Sequence, residues 1–372
     1  MPLKDYIVQP GDTLQSIARL FSVPTARIRS LNPELAHTDT LVVGQSIKVP
    51  EDVQIQRPIE VNGYTFPFFN PIEWSTVFRY LTYLSIFGYE IRPGGKLTVP
   101  DSGPMVEAAR AANVAPLMVV TNTINGVYSG ELLHGIFGDL ASQHALIESC
   151  AMVAQAYGYY GVNFGFEQIF PEDYQTYATF LDLAANHLHA LGLIIVASIR
   201  LVVVLENQTT SLAESLILYS RILDRFIITP GDFSCENGPA IDLVQKGLDF
   251  VFQYVSSAKL LVGVPNCCYI WREPYAPEGG YQAISPDQVD KMVRMSGAVS
   301  QVDPNTRMTI FYIPSDGGAQ KVISCDATYG LQVLELVKIY NLAGISLRTL
   351  NLFTFVTYQT IDLYVDIRKV LP

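Results

Sequence analysis

Residues 158–169 read GYYGVNFGFEQI, and Glu167 closes a run of otherwise small and apolar residues. A carboxyl group at the end of a buried strand can give or take a proton, but paired-carboxylate chemistry needs a second group beside it. In a strand, residues i, i+2 and i+4 face the same way, so Asn163, Gly165 and Glu167 share one face. The place for a partner, two residues before the glutamate, is a glycine. The stretch reads either as an active site that has lost one member or as a buried strand that never held one.

The rest of the chain offers few alternative chemistries. Its five cysteines are odd in number and lack CxxC spacing, so neither a disulfide framework nor a zinc site is signalled, and no metal or cofactor is expected. The vicinal pair Cys267-Cys268 reads as buried structural thiols, with a redox pair as the alternative. Net charge is −11 and there is no Lys/Arg run, which argues against nucleic acid as a partner. The most apolar stretch, LGLIIVASIRLVVVL (191–205), is interrupted by Arg200 and is too short to span a bilayer. MPLKDYIVQPGDT at the N-terminus has no apolar core of a secretion signal, so no cleavable leader is expected.

The elements that must position Glu167 fall into two regions. In residues 6–50, a short strand at Tyr6–Val8 leads into the turn Pro10-Gly11-Asp12. Thr13 then caps a helix whose apolar positions Leu14, Ile17, Ala18 and Phe21 fall at helical spacing. A second helix around Thr25–Leu31 ends at Asn32-Pro33, and a strand at Ser46–Val49 closes the unit. Past the linker EDVQIQRP (51–58) the pattern changes. Eight strand-like runs, IEVNGYTF, YLTYLSIFGY, APLMVVTN, GYYGVNFGF, LIIVASI, RFIIT, KLLVGVP and AGISLRTL, alternate with helix-period segments. That alternation predicts an α/β fold, a (β/α)8 TIM barrel over residues 53–372, preceded by a small βααβ domain over 1–52. A small α+β insertion is expected at about 270–326, between the last two runs.

PGDTL, SIA, LNP and VGQSIKVP stand in order along the first unit, which resembles a LysM module. The resemblance implies a groove for N-acetylglucosamine-containing glycans rimmed by Gly11, Asp12, Thr13, Asn32 and Pro33. The second region resembles a family-18 glycoside hydrolase, and in particular the LysM-bearing N-acetylglucosaminidases of spore cortex. LTYLSIFGY followed by GGKLTVPD, APLMVVTN, HALIESC before GYYGVNFGFE, VGVPNCCYIW and AISPDQ carry that likeness. It implies that Glu167 holds the general-acid position of a glycosidase. In that family the substrate's own acetamide is the nucleophile, and an aspartate two residues before the acid orients it.

Measured against that pattern, several positions on different strand ends are changed. Gly165 stands for the aspartate, Thr229-Pro230-Gly231 for a Thr-Tyr-Asp run, Leu347-Arg348 for a Tyr-Trp pair and Cys267-Cys268 for Tyr-Gly. The expectation is a barrel that has lost hydrolysis and retains Asn163, Glu167 and Asp232 about its mouth. Asp232 is the carboxylate available as a substitute partner. The alternative is an active N-acetylglucosaminidase with Glu167 as acid. The implied partner is peptidoglycan or another N-acetylglucosamine polymer, and the implied place is the spore surface, coat or cell wall. Only 16% of residues are charged, against roughly 25% in typical domains. Stretches such as AHTDTLVV, TSLAESLILYS and LNLFTFVTYQT carry large apolar side chains, so a homo-oligomer or array is also expected.

Overall fold

The computed structural model describes residues 3–21, 25–35, 40–50, 57–68, 74, 76–200, 204, 210–229, 240–265, 268–274, 281–303, 308–315, 318–324, 327–348, 350, 361 and 364–371. Two compact units are present: Met1–Pro58 with Asn266–Ile339 and Leu352–Asp366, and Ile59–Pro265 with Tyr340–Asn351 and Ile367–Pro372.

In the first unit, β1 (Leu3–Ile7) and β2 (Ser46–Pro50) pair antiparallel, Tyr6 opposite Ile47. Between them lie helices Leu14–Leu20 and Thr25–Leu31. Thr13 caps the first helix: its Oγ1 accepts from the Ser16 amide at 3.0 Å, and Ser16 Oγ accepts from the Thr13 amide at 2.9 Å. This reciprocal pair satisfies donors that a helix start leaves open. Leu14, Ile17, Ala18, Ile28, Leu35, Ile47 and Val49 then bury one small core.

The second unit is built on strands that read as near-continuous apolar runs because parallel barrel strands are covered on both faces. They begin with β3 (Glu60–Thr65) and β4 (Tyr83–Arg92), the latter extended by a short partner, β5 (Lys96–Leu97). β6 (Ala115–Thr121) follows, with a small hairpin, β7 (Thr123–Ile124) and β8 (Val127–Tyr128), at its end. Then come β9 (Gly161–Phe164), β10 (Ile194–Arg200), β11 (Arg225–Thr229) and β12 (Leu260–Val264). Next in sequence are β13 (Cys268–Glu273), β14 (Gln282–Ile284), β15 (Gln301–Val302), β16 (Thr309–Ser315) and β17 (Gly318–Ser324). These five form an antiparallel sheet of their own in the first unit, with helix Pro286–Ser296 and a core of Cys268, Ile270, Ile284, Val289, Ile313 and Val322. β18 (Gly344–Leu347) completes the barrel.

The eight barrel strands run β3-β18-β12-β11-β10-β9-β6-β4 and close through β3 on β4, all in parallel, which is the (β/α)8 architecture expected from the eight runs. Closure is tight: a Cβ at Gly344 would lie 1.8 Å from the Glu60 carbonyl oxygen, so only glycine fits at that strand crossing. Tyr64, Leu117, Val119, Val196, Ile227 and Leu261 fill the middle. Helices Gly103–Ala111, Leu140–Tyr157, Tyr174–Ala190, Thr210–Ile222 and Ile241–Val251 belong to the same unit.

One expectation about exposed surface is corrected here. TSLAESLILYS forms most of helix Thr210–Ile222, and it buries Leu212, Leu216 and Tyr219, with Tyr219 edge-on to Tyr177. Its apolar residues recur at helical spacing and are absorbed by neighbours, leaving Ile217 partly exposed. Residues 351–360 of LNLFTFVTYQT lie outside the described residues, as do residues 36–39 of AHTDTLVV; Val42 and Val43 of the latter are exposed. Among the described residues no helix is long and apolar enough to cross a membrane.

Candidate functional site

The C-terminal ends of the barrel strands form the mouth where this architecture places binding groups. β9 and β10 pair with Val196 opposite Asn163 and Ala197 opposite Phe164. Continued past the ladder, the same offset brings Arg200 level with Glu167, and Arg200 Nη1 donates to Glu167 Oε2 at 3.2 Å. Both side chains are about one-fifth to one-quarter exposed, 22% for Glu167 and 24% for Arg200. The Glu167 main chain is clamped by a buried asparagine: Asn122 Oδ1 accepts from the Glu167 amide at 3.0 Å, and Asn122 Nδ2 donates to the Glu167 carbonyl at 2.8 Å. Gln168 then turns left-handed, with φ of 58°. Its carbonyl oxygen would lie 2.5 Å from a Cβ at position 130, so Gly130 is what lets that turn pass.

Below Glu167 on the same face, Gly165 donates its amide to the Val120 carbonyl at 2.9 Å. A Cβ there would meet Val119 Cγ1 at 3.2 Å, a contact that needs a shift of a few tenths of an ångström. Asn163 is fully buried; its Nδ2 donates to the Tyr64 phenol at 3.0 Å, while its Oδ1 has no partner. Burial pushes the Tyr64 hydroxyl up to about 12, against the pull of hydrogen bonds from Asn163 and Ser198; Glu167 raises it further and Arg348 lowers it. The Tyr64 phenol therefore feels the carboxylate and a second guanidinium together. Beyond it the rings of Tyr64, Phe87, Phe66 and Phe68 stack in sequence at 5.1, 5.1 and 5.3 Å, ending at an 80% exposed Phe68.

The structure thus puts Asn163, Gly165 and Glu167 on one face, with Glu167 partly exposed and Asn163 buried beneath it. Asp232, Pro230, Gly231 and Cys267 lie outside the described residues. Arg348 follows β18 and donates its amide to the Val264 carbonyl at 3.1 Å. Cys268 is a buried thiol of the antiparallel sheet, 3.6 Å from Ser324 Oγ. Arg200, Asn122, Tyr64 and Ser198 were not singled out as site residues from sequence. Arg200 carried a readable signal, a lone charge at the end of an apolar strand. Asn122 follows directly on a barrel strand, the usual place for site residues.

The chemistry open to this mouth is narrow. A general acid must arrive carrying its proton, whereas the guanidinium beside Glu167 binds the ionised carboxylate. No carboxylate can come from position 165. Among the described residues no group of three or more His, Cys, Asp or Glu side chains could hold a metal.

In the first unit, Gly11 is left-handed, with φ of 89° and open space around it, and it stands exposed next to Thr13. Asp12 Oδ2 accepts from the Tyr6 phenol and the Gln9 amide, both at 2.7 Å. Asn32 is buried and committed: Nδ2 donates to the carbonyls of Ile28 and Lys48 at 2.6 and 2.9 Å, and Oδ1 accepts from the Lys48 amide at 2.8 Å. Pro33 opens the short 3-10 turn Pro33–Leu35.

Comparison with known proteins places these two parts. Residues 6–50 match the LysM domain family. The chain is 26% identical to the cortical fragment-lytic enzyme of Bacillus subtilis (strain 168) over 408 aligned residues, covering 93% of this chain and 94% of that one. It is 27% identical to the enzyme of the same name from Bacillus anthracis over 311 residues, 78% of this chain and 71% of the other. The crystal structure of the Bacillus cereus spore cortex-lytic enzyme SleL superposes with a TM-score of 0.78 at 24% identity, over 98% of this chain and 87% of that one. A chitinase from Chromobacterium violaceum ATCC 12472 superposes with a TM-score of 0.72 at 19% identity, over 82% and 98%. The chain therefore carries an N-terminal LysM domain and a barrel of the chitinase fold.

Proposed function

We propose that this protein binds peptidoglycan or a related N-acetylglucosamine polymer through its LysM domain, and that its barrel does not hydrolyse the polymer. The observation that carries the reading is Glu167 held in an ion pair by Arg200 with glycine two residues before it. Protonating a glycosidic oxygen needs an acid, and stabilising the cationic sugar needs a second group; among the described residues of this mouth the glutamate is tied to Arg200 and no second carboxylate stands two residues before it. In the LysM domain, exposed Gly11 and Thr13 form the rim of the glycan groove together with Pro33, while Asp12 and Asn32 shape it from within. The names of the relatives support spore cortex or cell wall as the place of action.

Reducing-sugar release from purified spore cortex peptidoglycan tests the reading. The wild-type chain is expected to release no more than Glu167→Gln, and Gly165→Asp alone is expected to stay silent because Arg200 still occupies Glu167. Release that depends on Glu167 would establish the second reading, an N-acetylglucosaminidase acting through Glu167. That reading draws on the retained carboxylate and its 22% exposure, which leaves it within reach of a substrate.

A further inference from the structure

At the opposite end of the barrel from Glu167, the starts of β4, β10 and β11 and the segment at 368–370 enclose a polar cavity of about 330 Å³. That is far more than the roughly 10–15 Å³ a single water requires. Glu60, 1% exposed, sits behind Arg225 and Tyr83, which line the cavity. Its Oε1 accepts from Arg225 Nη2 at 2.6 Å, and its Oε2 accepts from Arg225 Nε and from the Tyr83 phenol. Arg225 spends its remaining arm on the Asp224 carbonyl at 2.6 Å. These two charges are mutually neutralised. Asp224 Oδ2 is likewise occupied, by the Ile195 amide and by His189 Nε2, both at 2.8 Å.

The cations are less well matched. Arg368 is 60% exposed, and its closest carboxylate oxygen, Glu60 Oε1, is 3.6 Å away, outside hydrogen-bond reach. Lys369 Nζ donates to the carbonyls of Phe78 and Leu81 at 3.0 and 2.6 Å, which leaves one ammonium proton over. Lys259 nearby donates to the Ser220 and Leu223 carbonyls at 2.8 and 2.7 Å. Four cations thus surround two carboxylates in a chain whose net charge is −11. Burial holds the Lys259 and Lys369 ammonium groups below the ordinary lysine range; at Lys259 the Asp224 carboxylate opposes that shift and Arg225 adds to it.

We propose that this cavity is an anion site that takes a phosphate-type oxyanion, gripped by the Arg368 guanidinium and Lys369 beside the Arg225 wall. The planar fork of an arginine matches two oxygens of a tetrahedral oxyanion, and a neighbouring ammonium adds a point charge. The site is separate from the barrel mouth and does not rest on the glycan reading, so glycan assays and this test fail or succeed independently.

Calorimetric titration of the full-length chain with inorganic phosphate, at ionic strength matched with chloride, is the test. A saturable one-site heat is expected, with thermal unfolding moved upward as phosphate is added. Arg368→Gln, a change at an exposed side chain, is expected to leave phosphate-free unfolding unchanged and to weaken phosphate binding about tenfold, the worth of one charge-assisted contact. Arg368→Lys, which keeps the charge and loses the fork, is expected to fall between the two. Glycerol 3-phosphate as a second titrant separates the sources: tighter binding than phosphate identifies an esterified phosphate as ligand, weaker binding the free ion, and either retains the site. No saturable heat, or equal affinity in wild type and Arg368→Gln, overturns it.

Discussion

Glu167 and Arg200 meet because two parallel strands hold a fixed offset, so the pair is written in the register of β9 and β10. Tyr64 shows how such buried polar contacts respond to pH. Its hydroxyl titrates at about 12 when folded and at 10.0 when unfolded. A raised value in the folded state means a contribution fully present below pH 10 that is lost as pH rises through 12. Tyr64→Phe is therefore expected to be less stable than wild type at pH 7 by about 1–3 kcal/mol, since Asn163 Nδ2 loses its closer acceptor and keeps only Ser85 Oγ at 3.4 Å. The gap should narrow by on the order of 2–3 kcal/mol between pH 10 and 12. Urea unfolding at both ends of that window checks it, and a constant gap contradicts it. Glu167 and Gly165 were legible in the sequence because strand alternation alone puts them on one face. Arg200 as partner was not, because a contact across 33 residues depends on which strands pair and at what offset.

At the scale of elements, the eight apolar runs were legible because strands buried on both faces carry their signal in composition. The boundaries of the LysM helices were legible from Thr13 and from Asn32-Pro33. What no local pattern announced is that Asn32 joins the helix Thr25–Leu31 to β2 through three hydrogen bonds. Asn32→Ala removes all three and leaves backbone groups of Ile28 and Lys48 without partners. The expected cost is about 2–3 kcal/mol, felt within the small domain. Hydrogen exchange checks it: the amides of Ile47 and Val49, in the core beside Lys48, should exchange faster, and peptidoglycan pull-down should weaken in parallel. Unaltered exchange with lost pull-down would instead make Asn32 a direct sugar contact.

For the whole molecule, the low charge content and the exposed Val42, Val43 and Phe68 favour association with further copies of the chain. Light scattering is expected to find species above 41.2 kDa that grow with concentration; a monodisperse species at that mass over a wide range excludes association. One detail of the barrel has a mechanical side. Ile59 bridges Ile367 in parallel, and the Arg368 amide donates to the Ile59 carbonyl at 2.8 Å. The start of the first barrel strand thus lies against the segment at 367–368. Tension applied across residues 59 and 367 would load that bridge together with the bonds that tie the next two residues down, Thr82 Oγ1 to the Arg368 carbonyl and Lys369 Nζ to the Phe78 and Leu81 carbonyls. A pull between those two residues therefore meets a cluster of short bonds at one seam before any barrel strand has to separate from its neighbour.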